Sequence, residues 1–381
     1  MSTAPRCIAL ILASLALLLP SAALAAPVYL VTPLGNLGGA FGDVRALNDA
    51  GAVVGYALTA GSVNSAYVSR GGAIVSLHPP GAASSVASGI NNAGAAAGTV
   101  LDGGVSRAVT FSGGAANPVG TLGGANSTGA DINDQGQATG AAERADGLTR
   151  AFRSTPGAGL RDLGTLGGAA SAGSAINNAG QVAGRADTAG GSYHAFATQG
   201  DTLLDLGTLG GRFSEATGIN EGGAVTGFAY LPGDAYAHAF LYAGGAMEDL
   251  GTLGGLNSYG YDLNDAGQVV GASEVGGGNE LHAFLYAGGA MTDLNALVQL
   301  EAGWVLNYAA DINELGQIAA LGCNQFGQCQ GYLLTLDDPV IDIPEPGTLL
   351  LMAAGLLALS LRRRRKTPAE EAVTRPSAGR D

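Results

Sequence analysis

Residues 249–293 read DLGTLGGLNSYGYDLNDAGQVVGASEVGGGNELHAFLYAGGAMTD. The body of the chain is variations on this stretch. Gly-Thr-Leu-Gly-Gly stands at 120–124, 164–168, 207–211 and 251–255, at spacings of 43 or 44 residues, and Gly-Asn-Leu-Gly-Gly at 35–39. A fixed period of this length is the mark of a repeat array, so the repeat is read before anything else.

Each unit contains four strand-like segments. The first ends in Asn and turns at once, with Asn and Gly three apart: Asn48 and Gly51, Asn91 and Gly94, Asn133 and Gly136, Asn177 and Gly180, Asn220 and Gly223, Asn264 and Gly267, Asn313 and Gly316. Asn first and Gly fourth suit a type I turn closed by a left-handed residue. The second strand follows, as at 52–58, 137–143, 181–187 and 268–274. Four residues after the turn glycine comes Gly55, Gly98, Gly140, Gly184, Gly227 or Gly271, with Ala320 in the last unit. A glycine inside a strand predicts close approach by a neighbouring backbone. The third strand reads His-Ala-Phe at 194–196, 238–240 and 282–284, and a two-residue turn leads to the fourth.

Seven units supply first, second and third strands, but only six have a fourth strand of their own. The missing strand is offered by 28–34, just before the first glycine-rich linker. This predicts an all-β fold, a seven-bladed β-propeller at 26–338 closed by the N-terminal strand. A linear solenoid is the rival, but its ends need not complement each other.

The ends of the chain address it. Arg6, an apolar run at 7–19 and Ala23-Leu-Ala25 read as a signal peptide at 1–25. At the other end, an apolar run at 347–361 precedes Arg362-Arg-Arg-Arg-Lys366, which predicts a single transmembrane helix with a basic cytoplasmic tail at 362–381. Such a run spans only about 22 Å, short of a roughly 30 Å bilayer core unless arginines snorkel. The linker at 339–346 ends in Pro344-Glu345-Pro346. This order of Pro-Glu-Pro, apolar helix and arginine cluster resembles the PEP-CTERM sorting signal. The resemblance implies an exosortase-type partner and delivery to the cell surface or extracellular matrix, with inner-membrane anchoring before processing. The third-strand His-Ala-Phe with its Asp-Leu-Gly-Thr-Leu-Gly-Gly linker resembles the HAF repeat of bacterial extracellular proteins, most closely over 120–293. Ala66-Tyr67, Ala108-Val109 and Gly331-Tyr332 depart from it. The resemblance implies no particular activity.

The exported body, 26–346, holds nine Arg, no Lys and twenty-eight Asp plus Glu, a formal charge of −19. That surface repels phosphates and argues against a nucleic-acid partner. It suits divalent cations or a cationic partner. Strand alternation places the longer second-to-third loops and the linkers on one rim. That rim carries Asp102, Glu143, Asp146, Asp187, Asp234, Glu274 and Glu280, candidates for binding cations, cation-bridged exopolysaccharide or a basic partner. Solvated loop tips are the plain alternative.

His194, His238 and His282 occupy one repeat position a blade apart, which favours a structural hydrogen bond over a metal or catalytic site. The loops starting at Asp131, Asp262 and Asp311 place Asp, Asn and Gly at calcium-loop positions one, three and six, but have no Glu at twelve. The turn reading covers all seven loops and the calcium reading three; no other cofactor is expected. Cys323 and Cys329 flank the last second-to-third loop and predict a disulfide in an oxidising compartment. The leading reading is a non-catalytic binding or matrix role. The alternative is a polysaccharide lyase or hydrolase with its site in the central channel. Converging carboxylates with a basic or aromatic partner there would favour the enzyme; a wall of Gly and Ala would favour binding. With Trp304 the only tryptophan and aromatic residues sparse, no stacking platform for sugars is expected.

Overall fold

The Asn-x-x-Gly turns form as read. In the computed structural model, which describes residues 28–200 and 202–337, Gly51 N–H donates to the Asn48 carbonyl at 2.9 Å and Asn48 N–H to Ala52 at 3.1 Å. Gly51 sits at φ +74°, where a side chain would be strained. The same pair of bonds recurs in all seven turns. The signal peptide, the Pro-Glu-Pro linker, the apolar run and the basic tail lie outside the described residues. No described helix is long and apolar enough to cross a membrane.

Each turn joins a first strand to a second, and each unit folds as an antiparallel four-stranded sheet. Sheet one spans 38–76, and sheets two to six span 84–118, 123–162, 167–205, 214–249 and 254–293. Sheet seven contains Trp304–Ile312, Ile318–Asn324 and Cys329–Asp337. Its fourth strand is Val28–Pro33, paired antiparallel with Cys329–Asp337 from Val28 opposite Asp337 to Pro33 opposite Tyr332. The two ends of the chain therefore complete one sheet. A single parallel bridge, Phe41 to Cys329, links this sheet to sheet one. The second strands begin one residue later than read, at Val53, Ala138, Val182 and Val269.

Seven first strands touch one another in succession, and the seventh touches the first. The side chain of each turn Asn closes that circle. Asn48 Nδ2 donates to the Asn91 carbonyl, Asn91 to Asn133, Asn133 to Asn177, Asn177 to Asn220, Asn220 to Asn264, Asn264 to Asn313, and Asn313 back to Asn48, at 3.0–3.3 Å. The same Asn turns its Oδ1 inward, as where Asn48 accepts from Ala50 and Ala52. The amide accepts within its own turn through its oxygen and donates to the next through its nitrogen. Aspartate lacks the donor. Asn177→Asp is therefore expected to cost about 1–3 kcal/mol, by leaving the Asn220 carbonyl facing a carboxylate. Urea unfolding checks this, and an unchanged midpoint would contradict the strut.

Between neighbouring sheets lies the core. Phe152, Phe196, Phe240 and Phe284 are all fully buried. Phe196 packs against Ala151 of the preceding sheet and the linker leucine Leu163, and Phe284 packs likewise against Ala239 and Leu250. The Ala and Phe of each third strand thus face opposite gaps, so one sheet gives a small residue where its neighbour gives a large one. Burying each ring contributes about 1.5–3 kcal/mol. The in-strand glycines meet backbone as read. A Cβ on Gly55, Gly98, Gly140, Gly184, Gly227 or Gly271 would run into a carbonyl oxygen of the first strand, that of Asp43, Val86, Thr128, Ala172, Glu215 or Tyr259.

Candidate functional site

The linker motif accounts for the histidines. His194 Nδ1 lies 2.9 Å from Asp205, His238 Nδ1 2.8 Å from Asp249 and His282 Nδ1 2.7 Å from Asp293. Asp205 and Asp249 also accept the N–H of Gly207 and Gly251. The threonine of Thr-Leu-Gly-Gly donates across its own bend, as from Thr208 to Gly211 at 2.8 Å. A serine three or four residues on pins the previous sheet: Ala151 N–H donates to Ser171, Ala195 to Ser214 and Ala239 to Ser258, at 2.8–2.9 Å. In these three repeats the His and Asp clamp the chain as it leaves one sheet for the next.

Most of the loop-face carboxylates bond to their own backbone. Glu143 accepts from Ala125 N–H, Asn126 N–H and Asn126 Nδ2, all at 3.1 Å. Glu274 does the same with Leu256 and Asn257. The bonds from Asn126 and from the Asn257 side chain hold these two acids below the usual carboxylate range. Asp187 accepts from Ala170, and Asp234 from Arg212 at 2.7 Å. Asp146 caps its own turn through Leu148 N–H and lies 3.4 Å from Arg144. Glu280 is exposed, 4.0 Å from His282, and Asp102 is exposed at a loop edge. Asp102, Glu143, Asp187 and Glu274 stand at the ends of second strands and Asp146, Asp234 and Glu280 in the loops that follow, and most tie a linker or turn to its own sheet.

Cys323 and Cys329 lie directly opposite each other in adjacent strands and are joined by a disulfide. It closes the second-to-third loop of the sheet that also receives the N-terminal strand.

At the turn end of the ring, Asp131, Asp262 and Asp311 line a common cavity with turn asparagines. Each accepts the N–H of the residue before the turn Asn of the next sheet: Asp131 from Ile176 at 2.9 Å, Asp262 from Ile312 at 3.5 Å and Asp311 from Leu47 at 2.6 Å. Asp131 also accepts from Ile132. Burial raises all three, Asp131 to about 7. The neighbouring Asp311 carboxylate adds to the effect of burial at Asp262. These aspartates, read from the sequence as possible calcium ligands, act as struts between sheets. Among the described residues no group of three or more His, Cys, Asp or Glu is arranged to hold a metal ion.

The inner wall of the ring differs from both rims. Each first strand carries a bulge here, between Val44 and Ala46 and between Gly260 and Asp262, which leaves Arg45 and Tyr261 without a partner in the ladder. A cavity of 450 Å³ is lined by Phe41, Asp43, Arg45, Tyr261 and Tyr308, among others. Arg45 Nη2 lies 2.8 Å from Asp43 Oδ2, and the Tyr308 hydroxyl donates to Oδ1. The Arg45 guanidinium also stands over the Tyr56 ring, 5.6 Å from its centre. Tyr308 meets Tyr261 edge-on at 5.7 Å. Burial raises the Asp43 carboxyl above the usual carboxylate range, against the opposing pull of Arg45 and the Tyr56 hydroxyl. Burial raises the Tyr261 phenol above its usual value, with smaller effects from Tyr259, Arg45 and Asp43. Side chains from sheets six, seven and one thus converge. The sequence placed a possible site in the channel but named no residues for it, because they stand at positions that change from repeat to repeat.

No curated protein matches the sequence. Solved structures with a similar outline include TolB from Acinetobacter baumannii, 10% identical with a TM-score of 0.45, covering 74% of this chain and 63% of that one. A TolB from Agrobacterium tumefaciens gives 10% identity and 0.45 over 68% of this chain and 93% of that one. A gluconolactonase from Xanthomonas campestris gives 13% and 0.40 over 83% and 93%. At these scores the likenesses carry no argument about what this chain does. Residues 342–365 match the PEP-CTERM protein-sorting motif, which includes Pro344, Glu345 and Pro346. The chain carries the signal of an exported protein that an exosortase sorts to the cell surface.

Proposed function

We propose that this chain is a surface-sorted, non-catalytic binding protein of the extracellular matrix, built as a seven-bladed β-propeller of the HAF-repeat kind. The circle of seven hydrogen-bonded turns and the His-Ala-Phe positions support the architecture. The reading takes 1–25 as a signal peptide that is removed and 347–361 as the helix that holds the chain in the inner membrane until processing. Exopolysaccharide is the proposed ligand class.

One observation carries the binding role. Asp43 is the single carboxylate lining the inner-wall cavity, and both its oxygens are engaged, by Arg45 and by Tyr308. Glycoside hydrolysis uses two carboxyl groups, roughly 5–9.5 Å apart, and this cavity presents one. The lyase or hydrolase reading is favoured by the same cluster's basic and aromatic partners. Full-length protein in detergent, incubated with polysaccharides, is expected to retain polymer and release no new reducing ends or unsaturated sugars. Asp43→Asn is expected to weaken retention about tenfold by freeing Arg45 and Tyr308. New chain ends that disappear in Asp43→Asn would establish the enzyme instead. The exposed loop acids Asp102 and Glu280 support a cation-bridged contribution, which retention with and without calcium checks.

A further inference from the structure

The body has nine arginines, and three of them stand over aromatic rings: Arg45 over Tyr56, Arg185 over Tyr193 at 5.4 Å and Arg212 over Phe213 at 4.9 Å. Each of the three is also paired with a carboxylate. Arg45 lies 2.8 Å from Asp43, Arg185 3.2 Å from Glu215 and Arg212 3.3 Å from Asp234. The same three-part unit, an arginine between an acid and a ring, occurs at both ends of one arc.

The rings join up along that arc. Tyr193 packs on Phe213 with centres 4.8 Å apart, and Phe213 meets Tyr230 edge-on at 5.8 Å. Phe228 meets Tyr259 at 5.4 Å in the next sheet, and Tyr261 leads on to Tyr308 and the Asp43 cavity. Sheets four, five, six, seven and one contribute in turn. Sheets two and three have Ser88 and Ala130 in the register position of Arg45, and Thr99 and Ala141 in that of Tyr56. The aromatic residues, sparse in the chain as a whole, are gathered on one side of the ring. This is a stacking surface where the sequence led us to expect none.

The charge of this surface sets it apart. In a body of net charge −19, each of these arginines is balanced by its own acid. An anionic ligand would have to displace a carboxylate, and a cationic one an arginine. A sugar hydroxyl does neither. It donates to a lone pair the carboxylate has left and accepts from one of the guanidinium's remaining N–H groups. The apolar face of a sugar ring covers the aromatic ring beside them, and a rigid ring costs little entropy to order.

We propose that this arginine–carboxylate–aromatic arc binds a neutral glycan chain directly, without a bridging cation. The proposal rests on the reading above that the inner-wall cavity is a binding surface, extends that surface to the loop rim where Arg212 and Asp234 lie, and specifies the ligand it takes. The side chains of Arg45, Arg185 and Arg212 are 47%, 49% and 69% exposed and those of Glu215 and Asp234 24% and 26%, so these groups are open to a polymer, whereas Asp43 at 6% is buried.

The test is affinity electrophoresis of the full-length protein in detergent against neutral glucans, galactans and mannans, with alginate and polygalacturonate as acidic counterparts. Each is run in EDTA and in calcium. We expect at least one neutral polymer to retard the protein equally in EDTA and in calcium. We expect Arg212→Ala and Arg185→Ala each to weaken that retardation about tenfold with the melting temperature unchanged. Arg212 is the most exposed of the three, so its loss leaves the fold in place. Retardation by acidic polymers alone, or only in calcium, would overturn the neutral-glycan proposal and leave the binding role standing. Folded protein that no polymer retards would remove both.

Discussion

Protein lacking Val28–Pro33 is expected to lose its single cooperative thermal transition and to elute as an expanded or associated species. This strand supplies the whole fourth edge of sheet seven. Without it, Cys329–Asp337 becomes an exposed edge, open to pairing with another chain. The strand also supplies core. Tyr29 is 3% exposed and packs against Leu294, Leu297 and Leu306, and its N–H donates to the Leu297 carbonyl at 3.0 Å. Tyr29→Ala alone is expected to cost about 3–5 kcal/mol, against a total stability of about 5–15 kcal/mol. Circular dichroism melts and size-exclusion chromatography read the outcome. A synthetic peptide of residues 27–34, added to the truncated protein, is expected to restore part of the transition, because the missing piece is a discrete strand. A truncated protein that melts like the parent would mean that the ring does not depend on its closing strand.

The second large effect is expected at Gly227. A Cβ there would overlap the Glu215 carbonyl and come within 2.9 Å of Ala216 Cα, both backbone atoms of a strand held on its other side by the next sheet. Neither can yield as a side-chain tip could. Gly227→Ala is expected to cost about 3 kcal/mol, the upper end of overpacking penalties. Gly278→Ala is the control. Its nearest neighbour is Glu280 N at 3.9 Å and its φ is not positive, so a change within about 0.5 kcal/mol is expected. Equal midpoints for the two variants would mean that the inner strand moves aside.

The same backbone contact shows why so much of the fold could be read early. A glycine in mid-strand, an Asn-x-x-Gly turn and a missing fourth strand are local or periodic facts, and seven copies of each average out the accidents of any one. Strand 28–34 was legible for a different reason. A closed ring needs as many fourth strands as first strands, and counting showed where the spare one lay.

What the sequence could not show is where side chains meet once the circle closes. Asn was read as a turn former, and that holds for its Oδ1; its Nδ2 reaches a carbonyl 42 to 49 residues away, or 265 where the ring closes. Asp131, Asp262 and Asp311 suggested a calcium loop because spacing along the chain cannot tell a metal ligand from an acceptor for the next sheet's N–H. The acids read as a loop face stand partly at the ends of second strands, and Glu143 and Glu274 fold back onto their own linkers, a choice made by the linker path. Composition by itself determined the acidic charge of this protein, and the repeat determined its sheets, turns and closing strand. Only tertiary structure decided that three of the body's nine arginines meet an acid and an aromatic ring along one side of the ring of sheets. Those residues stand at the positions the repeat leaves free to vary, and only ring closure makes positions on separate sheets neighbours.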